Sequence, residues 1–131
     1  MKRILIVEDR ATSRELLRSA LKPQGYEVIE AVDGGDGLAK AKDQLPDLIL
    51  LDLQMPKLGG FDVLQELRRD SRFLKTPIVA ITASAMQGDR EKALAAGFNG
   101  YLTKPVSLAT LRAEISRLLD PGLSSYTSVP R

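Results

Sequence analysis

Apolar residues come in short unbroken runs separated by longer amphipathic stretches. Ile4-Leu5-Ile6-Val7, Leu48-Ile49-Leu50-Leu51 and Ile78-Val79-Ala80-Ile81 are continuous, and each stops at a polar residue. A strand apolar on both sides is covered on both sides, as in a parallel sheet between helical layers. Tyr26 to Glu30 alternates and reads as a strand nearer a sheet edge, while Gly100-Tyr101-Leu102 reads as a fifth strand. Apolar positions three and four apart predict helices in between. Residues 11–22 carry Leu17, Ala20 and Leu21 inward, 34–45 carry Leu38, Ala41 and Leu45, and 61–70 carry Phe61, Leu64 and Leu67. The pattern is weak over 86–96, through Met86, Arg90, Ala93 and Leu94, and strong over 107–119, through Leu108, Leu111, Ile115 and Leu118.

Strand then helix, five times over, predicts an α/β fold: a three-layer doubly wound (βα)5 sandwich whose parallel five-stranded sheet has the order 2-1-3-4-5. The punctuation agrees. Pro23-Gln24-Gly25 closes the first helix, Asp33-Gly34-Gly35 opens the second, and Pro46, Pro77 and Pro105 fall at strand edges or in loops. Residues 1–119 form one domain on this reading. Residues 120–131, rich in Pro, Gly and Ser and without periodicity, are expected to be a flexible C-terminal tail.

Composition narrows the chemistry. A chain of 131 residues buries enough surface for a core without covalent staples. It has no cysteine and no histidine, which excludes disulfides, thiolate nucleophiles, Ser-His arrangements and imidazole metal sites. A net charge of +2 is too balanced for a nucleic-acid arm or a membrane-surface patch. Charge is unevenly placed: through Gln65 acids outnumber bases eleven to nine, and beyond it bases outnumber acids ten to six. No run approaches the ~18 apolar residues of a membrane span, and Ile4 to Val7 is too short for a signal-peptide core. A cytoplasmic protein with no direct nucleic-acid contact and no membrane insertion is expected.

Candidate chemistry sits where the strands stop, because ligands of open α/β sheets bind beyond the carboxyl ends of the strands, at the switch in winding direction. Strand one ends in Glu8-Asp9, strand three in Asp52 and strand four in Thr82, and Lys104-Pro105 follows strand five. Strands one and three are neighbours in the proposed order, so Glu8, Asp9 and Asp52 converge. Three carboxylates in one concavity need a cation, and the candidates are Mg²⁺ and the ammonium of Lys104. Such a site suits phosphoryl transfer, with Asp52 as carboxylate nucleophile and Lys104 and Thr82 binding oxygens where charge accumulates. In the resting state Lys104 is expected to pair with Asp52. Each residue alone has a plainer explanation: Asp9 as the cap of the next helix, with Thr12 and Glu15 as a competing capping box, and Lys104 as a solvated charge. Their joint placement on four strand ends favours the site.

Four segments, I-L-I-V-E-D at 4–9, L-D-L-Q-M-P at 51–56 with Gly60 behind it, I-T-A at 81–83 and Y-L-T-K-P at 101–105, resemble the receiver domains of two-component response regulators. The resemblance covers about residues 2–119. It implies that Asp52 takes a phosphoryl group from the phosphohistidine of a partner histidine kinase or phosphotransfer protein, with Mg²⁺ held by Glu8, Asp9, Asp52 and the Gln54 carbonyl. It implies that Thr82 and Tyr101 form the switch, Tyr101 turning from outward to buried, and that the Lys104-Pro105 bond is cis. A downstream protein target would then read residues 84–119, with Gln87, Asp89, Arg112 and Arg117 facing solvent. Gln54 and Ser84 would flank the path of the hydrolysing water and tune phosphoryl lifetime. No DNA-binding helix-turn-helix follows, and the start at Met1 with a short tail favours a stand-alone regulator that turns over no small substrate.

Two other classes fit less well. A flavodoxin-like FMN carrier needs a hydroxyl-rich phosphate loop after strand one, where Glu8-Asp9 would repel the phosphate. A Mg²⁺-dependent aspartate-nucleophile phosphatase places a second aspartate two residues after the first, and here that position is Gln54.

Overall fold

The structure, a computed structural model, describes residues 1–83 and 86–119. Its strands are β1 (Arg3–Val7), β2 (Glu27–Ala31), β3 (Leu48–Asp52), β4 (Ile78–Thr82) and β5 (Gly100–Thr103). The helices are α1 (Ala11–Leu21), α2 (Gly34–Gln44), α3 (Gly60–Arg69), α4 (Asp89–Ala96) and α5 (Leu108–Leu119). All strand pairs are parallel and the sheet order is β2-β1-β3-β4-β5, as the pattern of runs predicts. The expected tail lies outside the described residues, as does Ser84.

Continuous apolar runs form these strands because successive side chains feed opposite helical layers. Leu5, Val7, Ile49, Leu51, Ile78 and Ala80 pack with Ala41, Val63, Leu64, Leu67 and Ala93, the inner faces of α2, α3 and α4. Ile4, Ile6, Leu48, Leu50, Val79 and Ile81 pack with Leu17, Leu21, Leu111 and Ile115 of α1 and α5. Every residue of β3 and β4 is buried, whereas the edge strand β2 alternates. Among the described residues no helix is long and apolar enough to cross a membrane.

The structure departs from the sequence pattern at several element ends. β2 runs one residue later than expected, from Glu27 to Ala31. α2 stops at Gln44, and Leu45 caps it in a left-handed conformation at φ 47° that turns its side chain outward to 49% exposure, so it is not an inward position. α4 begins only at Asp89. A turn precedes it, closed by Asp89 N–H on the Met86 carbonyl and by Met86 N–H on the Asp89 carboxylate, each at 3.0 Å, with Gly88 at φ +90° in the region that favours glycine. Of the four inward positions assigned there only Ala93 is buried; Met86, Arg90 and Leu94 are exposed. Leu108, at the first turn of α5, is also 45% exposed.

Candidate functional site

Because the strands are parallel, their carboxyl ends share one rim of the sheet. Val7 is in register with Leu51 and Asp52 with Ile81, so the residues just past β1 and the last residue of β3 meet at the centre. Glu8, Asp9 and Asp52 each present a carboxylate oxygen within 4.8 Å of the others. Glu8 and Asp52 are buried and Asp9 is half-buried. The convergence read from the strand ends is therefore present.

α1 is capped by Arg10, with no side-chain hydrogen bond, so neither Asp9 nor Thr12 serves as its cap. The plainer explanation of Asp9 is thus removed. Glu8 is held by its surroundings: Arg10 N–H donates to its carboxylate at 3.1 Å, and Arg14 of α1 donates to its backbone carbonyl at 2.9 Å. Asp52 Oδ1 accepts from Gln54 N–H at 3.0 Å, which turns the chain sharply after β3. The start of α3 comes close to this turn. A β-carbon on Gly60 would lie 2.7 Å from the Asp52 carbonyl oxygen and 2.8 Å from Leu53 Cα, a contact only glycine avoids.

Lys104 reaches the cluster from the loop after β5, where its bond to Pro105 is cis as the resemblance implied. Its Nζ lies 2.7 Å from Glu8 Oε1 and 3.5 Å from Asp52 Oδ2. The expected partner, Asp52, is therefore the more distant one. Glu8 Oε1 takes the closer contact, while each carboxylate also accepts from the backbone N–H two residues on, Glu8 from Arg10 and Asp52 from Gln54. Three carboxylates against one ammonium leave a negative, all-oxygen site of hard donors, the chemistry that fits a small divalent cation.

Thr82 ends β4 with only 2% exposure. Its carbonyl accepts from Lys104 N–H at 2.8 Å, so β4 and the β5 loop are joined beside the carboxylates. One contact was not legible beforehand: Ala83 N–H donates to the side-chain Oε1 of Gln54 at 3.0 Å. The sequence points to the Gln54 carbonyl and to a place near a water path, and nothing in residue spacing specifies where its amide turns.

Tyr101, on β5, is 9% exposed and packs in the cluster that holds Ala93 and Phe98. The structure thus shows the buried placement and not the outward one. Burial raises its phenol above the ordinary tyrosine range, with Asp89 and Glu91 adding to the shift. Of the residues assigned to an outer face, Gln87 and Arg112 are exposed, and Asp89 is half-buried with its carboxylate turned to Met86. Arg117 is exposed yet tied to Glu114 and to the Asn99 carbonyl. Beside Lys104 an apolar groove of about 690 Å³ runs between α1 and the start of α5, lined by Leu16, Leu17, Ala20, Pro105, Val106 and Leu108 among others.

Comparison with known proteins agrees with this geometry. Residues 4–116 match the response regulator receiver domain. The chain is 37% identical over 107 residues to the polar-differentiation response regulator DivK of Brucella anthropi, covering 82% of this chain and 87% of that protein. It is 35% identical over 116 residues to the sensor histidine kinase CheAY of Helicobacter pylori, spanning 87% of this chain but only 14% of that longer protein. Among solved structures, chemotaxis response regulator CheY4 of Vibrio cholerae superposes with a TM-score of 0.85 at 34% identity, covering 91% of this chain and 99% of that one. The receiver domain of the Pseudomonas aeruginosa sensor histidine kinase PA1611, solved with a magnesium ion in its active site cleft, gives 0.84 at 37% identity, covering 91% and 98%. The carboxylate rim, the strand order and these matches together place the chain in the response regulator receiver domain family, the phosphoacceptor switches of two-component signalling.

Proposed function

We propose that Asp52 is the phosphoacceptor, and that a partner histidine kinase or phosphotransfer protein supplies the phosphoryl group from a phosphohistidine. The observation that carries this reading is the convergence of Glu8, Asp9 and Asp52 within 4.8 Å, at the end of a buried strand, with the Lys104 ammonium against them. Glu8, Asp9, Asp52 and the Gln54 carbonyl would hold Mg²⁺, which when bound offsets carboxylate repulsion and neutralises phosphoryl oxygens. The magnesium in the PA1611 receiver domain supports that assignment.

In the transfer, an Asp52 carboxylate oxygen forms a bond to phosphorus as the donor's N–P bond breaks. The electron pair returns to the donor imidazole, and the product is an acyl phosphate. Lys104 places its charge beside the oxygens that become more negative, from a half-buried position against the buried Glu8 and Asp52. Thr82 would give its hydroxyl to a phosphoryl oxygen, a charge-assisted bond stronger than a neutral one. Its inward pull on the following loop would reach Tyr101 and the face formed by α4, β5 and α5, where a downstream protein would read it. The apolar groove beside Lys104 offers the phosphodonor a surface next to the acceptor.

The test is intact-mass measurement with a small phosphodonor, with and without Mg²⁺. One hydroxylamine-labile phosphoryl group is expected, only with Mg²⁺ and only while Asp52 is intact. Equal modification of Asp52→Asn, or in excess chelator, would overturn the assignment.

A further inference from the structure

The peptide plane between Thr82 and Ala83 is clamped along both of its edges. Its carbonyl, on Thr82, accepts from Lys104 N–H at 2.8 Å, which continues the pairing of β4 with β5. Its N–H, on Ala83, donates to Gln54 Oε1 at 3.0 Å. Gln54 in turn gives its own backbone N–H to Asp52 Oδ1 at 3.0 Å. One residue therefore touches the acceptor with its backbone and the loop after β4 with its side chain.

The two clamps differ in kind. The Lys104 contact joins two backbones at a sheet margin, whereas the Gln54 contact is made by an exposed side chain to an exposed residue. An exposed neutral hydrogen bond contributes little net stability, because water competes for both partners. It is the edge of the plane that opens at least cost. An inward turn of Ala83 rotates this plane and strains both bonds, the Gln54 contact first.

We propose that Gln54 is a positioning residue, a latch whose side-chain carbonyl holds Ala83 N–H in the resting chain and sets the threshold at which the loop after β4 responds to a phosphoryl group. The proposal rests on the reading of Asp52 and Thr82 given above. A phosphoryl oxygen is a charged acceptor, and its bond to the Thr82 hydroxyl is stronger than the neutral bond that holds Ala83 N–H. Drawing the Thr82 hydroxyl toward it carries the adjoining Ala83 amide away from Gln54. The work of releasing the latch is then subtracted from whatever the phosphoryl contact supplies.

The experiment uses the full chain and two variants, Gln54→Ala and Gln54→Met, the second keeping side-chain length and bulk while removing the acceptor. Amide hydrogen exchange of Ala83, followed by NMR in the resting protein, should quicken by about two- to tenfold in both variants, the factor that one exposed hydrogen bond commands. With Mg²⁺ present, titration with beryllium fluoride as the phosphoryl mimic should move the resonances of residues 86–103 at a concentration lower by a similar factor in both variants. If Gln54 acted only by filling space, Gln54→Met would behave as the wild type, and that result overturns the latch. Unchanged Ala83 exchange in both variants overturns it as well, and faster exchange with an unmoved titration midpoint overturns its role in the threshold. The resting exchange comparison requires no phosphoryl chemistry. A wild-type chain that ignores beryllium fluoride, or responds equally as Asp52→Asn, would instead overturn the reading of Asp52 and with it the latch's proposed role in the threshold.

Discussion

Lys104 and Glu8 stand 96 residues apart in the chain and 2.7 Å apart in space, closer than Lys104 comes to Asp52 at 3.5 Å. The ammonium thus rests mainly on the carboxylate just past β1, leaving Asp52 less tightly engaged. Glu8 is 1% exposed, so it relies on that cation for its charge to be tolerated.

Removing the lysine should expose this dependence. Lys104→Ala is expected to destabilise the metal-free protein by about 3 kcal/mol, the low end for breaking a buried pair because Lys104 keeps 21% of its side-chain exposure. Saturating Mg²⁺ should recover much of the loss, and Mg²⁺ should bind more tightly than to the wild type. Urea unfolding with and without Mg²⁺ measures both; an equal loss in the two conditions would show that Lys104 and the metal do not share the same carboxylates.

Thr82 should behave differently. Thr82→Ala is expected to leave resting Mg²⁺ affinity nearly unchanged, since no charge is lost, while blunting the response of residues 86–106 to a phosphoryl mimic. Thr82→Ser should retain the response. A Mg²⁺ titration followed by amide-exchange comparison checks the pair, and a Thr82→Ala protein that switches normally would remove the hydroxyl from the relay.

Strand identity and the rim of carboxylates were legible in the sequence for one reason. A run such as Leu48 to Leu51 has to be covered on both faces, and the polar residue that ends it has to lie at the rim. The helix over 86–96 was legible only in outline, because Ala93 alone is buried there and so weak a stripe cannot fix a boundary. Leu45 misled because helical spacing continues one residue past the point where the backbone turns left-handed. Which carboxylate holds Lys104, and where the Gln54 amide turns, depend on competing side-chain contacts across β1, β3 and β5 that spacing along one chain does not encode.

Arg68 carries a structural prediction at the opposite end of the sheet. Its guanidinium donates to the carbonyls of Phe73 and Thr76, at 2.6 and 2.9 Å, and to Gly97 O and Asn99 Oδ1, at 2.9 and 2.7 Å. Its burial lowers its affinity for the proton, yet these acceptors on two loops hold it in place. Arg68→Ala should cost about 2–3 kcal/mol through the acceptors left unsatisfied. Arg68→Lys should recover only part, because an ammonium cannot reproduce the fork. Urea denaturation of both variants decides the matter: full recovery by lysine would mean that charge, not geometry, ties the loops.

Tyr101 predicts an alkaline effect. Its neutral form is favoured in the folded chain, chiefly by burial and then by Asp89 and Glu91. The unfolded chain loses its phenolic proton near a pH of about 10 and the folded chain later, so the contribution is intact below that pH and is lost as pH rises above it. Absorbance titration should show one late-ionising tyrosine that disappears in Tyr101→Phe, and the variant's stability should fall less steeply in alkali. If the amplitude lost in Tyr101→Phe were that of a tyrosine ionising in the ordinary range, Tyr101 would be in water.

Gly60 sets a limit on how this chain can drift. Substitutions along the outer surface of α3 meet solvent and are free to accumulate without reaching the rim, but the first residue of that helix has no such latitude. A single added carbon there would press on the Asp52 carbonyl and on Leu53, so the heritable variation a neighbouring helix can absorb ends one methyl group short of the backbone of Asp52.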